Sequence, residues 1–165
     1  MKKVIVVFAM ILGLSAVSFA GSTVPLFKIQ RNTNANEVRY DLRLDDQGNV
    51  NLRNPIDSYW LLLASNGARE EITSFQRRAY GFNFTQNAQG QMIMTLTAVR
   101  ERPITVRKVG DTWKAEILIN GKPAFLSSVF VESTSGFMGI PRVSYYILNG
   151  TDVVTGAEVS EKIIP

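Results

Sequence analysis

The chain has 165 residues, a formal charge of +4, and neither histidine nor cysteine. Without imidazole or thiol there is no Ser-His-Asp triad, no thiolate nucleophile, no disulfide, and no His or Cys ligand for zinc. The small positive charge gives no reason to expect nucleic acid as a partner.

The first stretch, MKKVIVVFAMILGLSAVSFAGS, has the layout of a secretory signal. Lys2 and Lys3 form the charged start, Val4 to Leu14 the apolar centre, and Ser18-Phe19-Ala20 the small-residue cleavage site. Cleavage is expected after Ala20, leaving 21–165 as a single β-rich domain. Removing two lysines lowers the formal charge from +4 to +2. A spanning helix needs about 20 apolar residues, and no later stretch offers them. No stable membrane span is therefore expected after cleavage, and the mature protein is expected in the periplasm or secreted.

Phe27-Lys28-Ile29-Gln30-Arg31 alternates as a strand does. Asn32 to Asn36 reads as a polar loop. Val38 to Leu44 alternates cleanly, with Val38, Tyr40, Leu42 and Leu44 on one face and Arg39, Asp41 and Arg43 on the other. The charged face suits water or a cross-strand ion pair. Asp45 to Asn49 is a hairpin turn around Gly48; it lacks the spacing of a calcium loop. Val50 to Arg53 returns as a strand, and Asn54-Pro55 bends the chain.

Tyr59 to Ala64 is apolar at nearly every position, as in a central strand covered on both sides. Ala68 to Tyr80 carries Ile72, Phe75, Ala79 and Tyr80 at helical spacing, with acids early and bases late, and Gly81 follows. One short amphipathic helix is expected there, covering that strand. Phe75 is expected in the core, where Phe75→Ala would cost about 3–5 kcal/mol.

From Phe82 onward the expected strands are Phe82 to Thr85, Gln91 to Val99, Ile104 to Val109 and Trp113 to Ile119. Ala124 to Val131, Val143 to Leu148 and Glu158 to Ile163 follow. Asn87 to Gly90, Gly110-Asp111, Asn120-Gly121 and Thr155-Gly156 are the turns, and Ser133 to Pro141 is a loop. The sum is a mainly β fold: a single antiparallel β-barrel or β-sandwich meander with one short helix.

Several fragments, in order, resemble one bacterial family. They are Asn34-Ala35-Asn36 with Val38 and Tyr40, Tyr59-Trp60, Ala79-Tyr80-Gly81, Gly150-Thr151-Asp152, and Thr155-Gly156 with Val159 and Glu161. Together they resemble the DUF4833 family, a domain of unknown function often found behind a signal peptide. The likeness runs from about Phe27 to Ile163. It brings no activity, and implies only which positions the fold or a site depends on.

No metal or cofactor is expected, and no catalytic residue can be named; the chain reads as leaning away from enzymes. Asp41, Asp57, Asp152 and Glu161 are the carboxylates available for a glycosidase-like pair. The plainer expectation is that Asp152 caps a turn and Glu161 pairs with an arginine. Asn34, Asn36, Tyr59, Trp60, Tyr80 and Asp152 are the candidate ligand-binding residues, with the aromatics lining a pocket. Three functions follow: carriage of a small apolar or amphipathic ligand near Tyr59, Trp60, Phe75 and Tyr80, interaction with an envelope protein, or carboxylate hydrolysis of envelope polymers. A cavity of several hundred Å³ beside those aromatics favours the first, and a solid core favours the second.

Overall fold

The fold rests on β2, Asn34–Arg43, whose period-two pattern buries Val38, Tyr40 and Leu42 completely. The computed structural model describes residues 21–135 and 141–165, so the expected leader and the middle of the 133–141 loop lie outside it. β2 forms antiparallel ladders with β1, Thr23–Arg31, and with β3, Ile56–Leu62. A short strand, β4, Ala68–Glu71, completes this wing beyond β3.

The second wing is a run of hairpins. Its strands are β5 Phe82–Gln86, β6 Met92–Leu96, β7 Val99–Val109, β8 Thr112–Ile119 and β9 Lys122–Ser135. β10, Pro141–Asp152, and β11, Glu158–Ile163, follow. The turns obey the sequence: Gly48, Gly90, Gly110 and Gly156 take positive φ, and Asn120-Gly121 does so at both residues, as a tight two-residue hairpin requires.

β9 joins the wings. β10 runs along one of its edges, while β8 and β1 share the other in succession. β8 pairs with Lys122–Phe125, and β1 lies parallel beside Ser128–Val131. The sheet order is β4-β3-β2-β1-β9-β8-β7-β6-β5, with β10 and β11 off that path. Asn32 fastens the fork, its amide donating to Glu132 Oε1 at 2.8 Å and to the Ser133 carbonyl at 2.9 Å.

The sheet curls until its wings meet. Tyr40 on β2 stacks on Phe27 at 4.7 Å and meets the edge of Phe82 on β5 at 6.4 Å. The end strands β4 and β5 do not pair with each other, so the barrel is not closed. Nor is the sheet wholly antiparallel, because β1 and β9 run parallel. Between β6 and β10 the core encloses about 20 Å³ of apolar-lined free space, room for roughly one water.

The expected 68–80 helix is replaced by a strand and a single helical turn, α1, Arg77–Tyr80. Asn66 and Gly67 both take left-handed φ and reverse the chain. The next four residues then pair with Tyr59–Leu62. Extension also lets Arg69 donate to Asp57 and lie over the Tyr59 ring, contacts that a helix would forfeit. Thr73 and Gln76 then bond reciprocally, side chain to backbone, at 3.0 and 3.3 Å, which is a capping box that starts the turn later than periodicity suggests. Ile72 is buried, but Phe75 is 70% exposed rather than in the core.

Smaller expectations change too: Asn34–Asn36 belongs to β2 rather than to a loop, and the expected 50–53 strand is a single Leu44–Val50 bridge followed by a turn at Leu52 and Arg53. Tyr59–Leu62 lies next to an edge strand, and of its side chains only Trp60 is buried. Thr97 and Ala98 form a turn that ends the expected 91–99 strand after Leu96. β7 passes through Pro103 because the ladder is irregular between the Met94–Ile104 and Leu96–Val99 pairs, where a missing N–H does little harm. Among the described residues, no helix is long and apolar enough to cross a membrane.

Candidate functional site

Phe27, Ile29 and Arg31 alternate along β1, so a cation follows two core residues in phase. The bend between β1 and β2 brings Arg31 opposite Asn34. Trp60 pairs with Val38 across the β2–β3 ladder and faces the same concave side. The turn α1 delivers Tyr80 to the same place, with its ring edge-on to Trp60 at 5.1 Å.

The result is a cation stacked on aromatics. The Arg31 guanidinium carbon lies 4.4 Å from the Trp60 ring centre and 6.0 Å from that of Tyr80. Its Nη1 donates to the Tyr80 hydroxyl and its Nη2 to Asn34 Oδ1, both at a long 3.3 Å. Asn34 Oδ1 also accepts from the Asn36 backbone N–H at 3.1 Å. Arg31 forms no ion pair among the described residues.

Three polar atoms in this corner are buried and lack a hydrogen-bond partner: Arg31 Nε, Trp60 Nε1 and Asn36 Oδ1. Two are donors and one is an acceptor. Buried polar groups in folded proteins are nearly always bonded, so such a group needs a physical account. Trp60 is only 5% exposed. Residues 73–79 are largely exposed, and the segment is pinned by buried Ile72 at one end. At the other end the Tyr40 hydroxyl donates to the Tyr80 carbonyl at 2.7 Å. Burial pushes the Tyr40 hydroxyl far above its ordinary range, so it remains a donor.

Asn34, Asn36, Trp60 and Tyr80 thus gather around one corner, and Tyr59 and Asp152 do not. Tyr59 lies on the opposite face of β3, donating to Asp41 Oδ2 at 2.9 Å. Burial, then that bond, raises its hydroxyl above the usual value. Asp152 caps the turn between β10 and β11, accepting from the Val154 and Thr155 backbones at 2.8 Å each. The Thr155 N–H, then that of Val154, holds its carboxyl below the ordinary value.

The carboxylates are similarly engaged. Asp41 and Asp57 are cross-strand partners and both are buried, but Asp57 accepts from Arg43 at 2.8 Å and from Arg69 at 2.7 Å. Glu37, also buried, accepts from Lys28 and Gln30 and faces the Arg39 guanidinium. Burial pushes its carboxyl up, but the Lys28 bond and the Arg39 charge outweigh that and leave it lowered. Glu161 takes Arg102 through both oxygens, at 2.8 and 3.3 Å, and the Asn120 backbone N–H at 2.7 Å. Asp57, Glu37 and Glu161 are thus held in ion pairs across the sheet, and Asp41 by the Tyr59 hydroxyl. No cluster of three or more acidic residues able to hold a metal occurs among the described residues.

A groove of about 250 Å³ lies elsewhere, at the β5–β6 turn, between Gln91, Met92, Val106, Lys108 and Trp113. It touches none of the expected aromatics. Arg31, which centres the corner, was not among the expected site residues; its signal was a charged residue in step with Phe27 and Ile29.

A family model described as "Domain of unknown function (DUF4833)" matches residues 27–162, nearly the whole chain. No curated protein and no solved structure matches it.

Proposed function

Since the chain belongs to the DUF4833 family, whose description assigns no activity, the premise has to be geometric, and we propose that it is an exported, non-catalytic interaction module of the cell envelope. The observation that carries this is Phe75. It is 70% exposed on a short, pinned segment, with the Arg78 guanidinium 5.6 Å from its ring and Arg77 beside it. An exposed aromatic flanked by arginines has the composition of an interface hot spot. The space between β6 and β10 supports the same reading, since about 20 Å³ is far too little for an apolar ligand. Export rests on the leader sequence. The partner surface is acidic with an apolar recess.

The test is a photoreactive phenylalanine analogue at position 75, with one at exposed Val154 as control, in the native envelope. A discrete adduct at 75 but not at 154, lost when Arg77 and Arg78 become glutamate, is expected. No adduct, or a small molecule co-purifying one-to-one in native mass spectrometry, would overturn the interaction reading in favour of ligand carriage.

A further inference from the structure

We propose that the Arg31 corner is a carboxylate-binding site. This goes beyond the interaction reading and does not depend on it, because it uses different atoms and needs no protein partner.

A partly buried guanidinium ordinarily has an anion or a set of short hydrogen bonds to offset desolvation. Arg31 has a ring face beneath it and two bonds at 3.3 Å, and no carboxylate among the described residues reaches it. Glu70, across the ladder from Trp60, is exposed and makes no ion pair with it. The guanidinium lies over the Trp60 ring, 4.4 Å from its centre, which restricts the side chain and pre-organises its N–H fork.

Donor count then selects the ligand. Arg31 Nε and Trp60 Nε1 are both N–H groups without acceptors. A planar carboxylate supplies two oxygens, four lone-pair sites in all, and matches a guanidinium edge in bidentate fashion. One oxygen takes Arg31 Nε while the other takes a guanidinium Nη, and the indole N–H reaches whichever lies nearer. The third unpartnered group, Asn36, is an amide whose oxygen and nitrogen can exchange places, so it can turn an NH₂ toward the same anion.

Access is the remaining physical question. Arg31 is half-exposed, so an anion meets it from solvent. The indole N–H and the Nε are covered, with the Tyr80 ring edge-on to Trp60 and the Tyr80 hydroxyl on Arg31 among the groups around them. The two 3.3 Å bonds that hold Arg31 are the ones an entering carboxylate displaces, and no ladder has to break.

The experiment uses ¹⁵N-labelled exported protein from expression of the full chain, at constant ionic strength. The Trp60 indole N–H is followed during titration with sodium propionate, sodium phosphate or propanol, with the Trp113 indole as internal reference. The expected result is a saturable Trp60 shift with propionate while Trp113 stays still. Arg31→Met should abolish that shift, and Arg31→Lys, which keeps the charge but not the fork, should weaken it. The remaining spectrum reports whether each variant is folded. No shift with propionate, an equal shift in Arg31→Met, or an equal response to propanol would each overturn the proposal. A tighter response to phosphate would overturn the carboxylate assignment.

Discussion

At Gly150 the chain leaves no room for a side chain. A methyl there would sit 2.5 Å from the Phe125 carbonyl oxygen and 3.0 Å from Ile119 Cδ1, because β10 is pressed against β9 at a break in register. Gly150→Ala should cost about 1–3 kcal/mol, read as a lower urea midpoint with unchanged slope. Tyr40 illustrates the opposite case, a large residue that is required. Its hydroxyl holds the Tyr80 carbonyl, so Tyr40→Phe should lose about 1–3 kcal/mol and speed amide exchange in residues 77–81. Phe75→Ala should change stability by less than about 0.5 kcal/mol, since the ring is solvated. The sequence expectation of several kcal/mol there came from counting Phe75 into a helical stripe. Spacing alone does not report whether anything lies opposite the stripe.

Among the elements, the hairpins were the most legible. Asn120-Gly121, Gly48, Gly90 and Gly156 all turn where their backbone freedom suggested, because such turns are decided by two or four adjacent residues. The segment 68–80 was misread because its decisive partners are distant in sequence. Asp57 and Tyr59 draw Arg69 into a strand, and the reciprocal Thr73–Gln76 bonds, visible as T-x-x-Q, delay the helical turn. β11 shows how a terminal element is secured. Glu161 clasps Arg102 of β7 and the Asn120 backbone, and the Arg102 bond, then the Asn120 N–H, lowers its carboxyl. A folded value below the ordinary 4.5 means the clasp contributes fully above about pH 4.5 and is lost as pH falls through the lowered value. The melting-temperature gap between wild type and Glu161→Gln should therefore be widest near neutrality and close in acid. A gap that persists in acid would show that packing, not charge, secures β11.

Over the molecule as a whole, the outer face of the first wing carries two ion-pair clusters that together span four strands. Asp57 takes Arg43 on β2 and Arg69 on β4, while Glu37 takes Lys28 on β1. Both arginines are partly solvated, so Asp57→Asn should cost about 1–3 kcal/mol rather than the full penalty of a broken buried pair. The alternation of Arg39, Asp41 and Arg43 announced these clusters, although not their partners. What no local pattern announced was the parallel contact of β1 with β9, since parallel neighbours need no turn between them.

That contact has a kinetic consequence. Asn32 meets Ser133 across a sequence separation of 101 residues, and β1 finds its second neighbour only when β9 exists. The amino-terminal hairpins must wait, unpaired along one margin, until most of the polypeptide has been delivered. High contact order of this kind belongs to proteins that fold in milliseconds to seconds rather than microseconds. Until β9 is present, β1 therefore offers a bare strand margin to which another extended chain could add, a hazard that ends only when the parallel ladder closes.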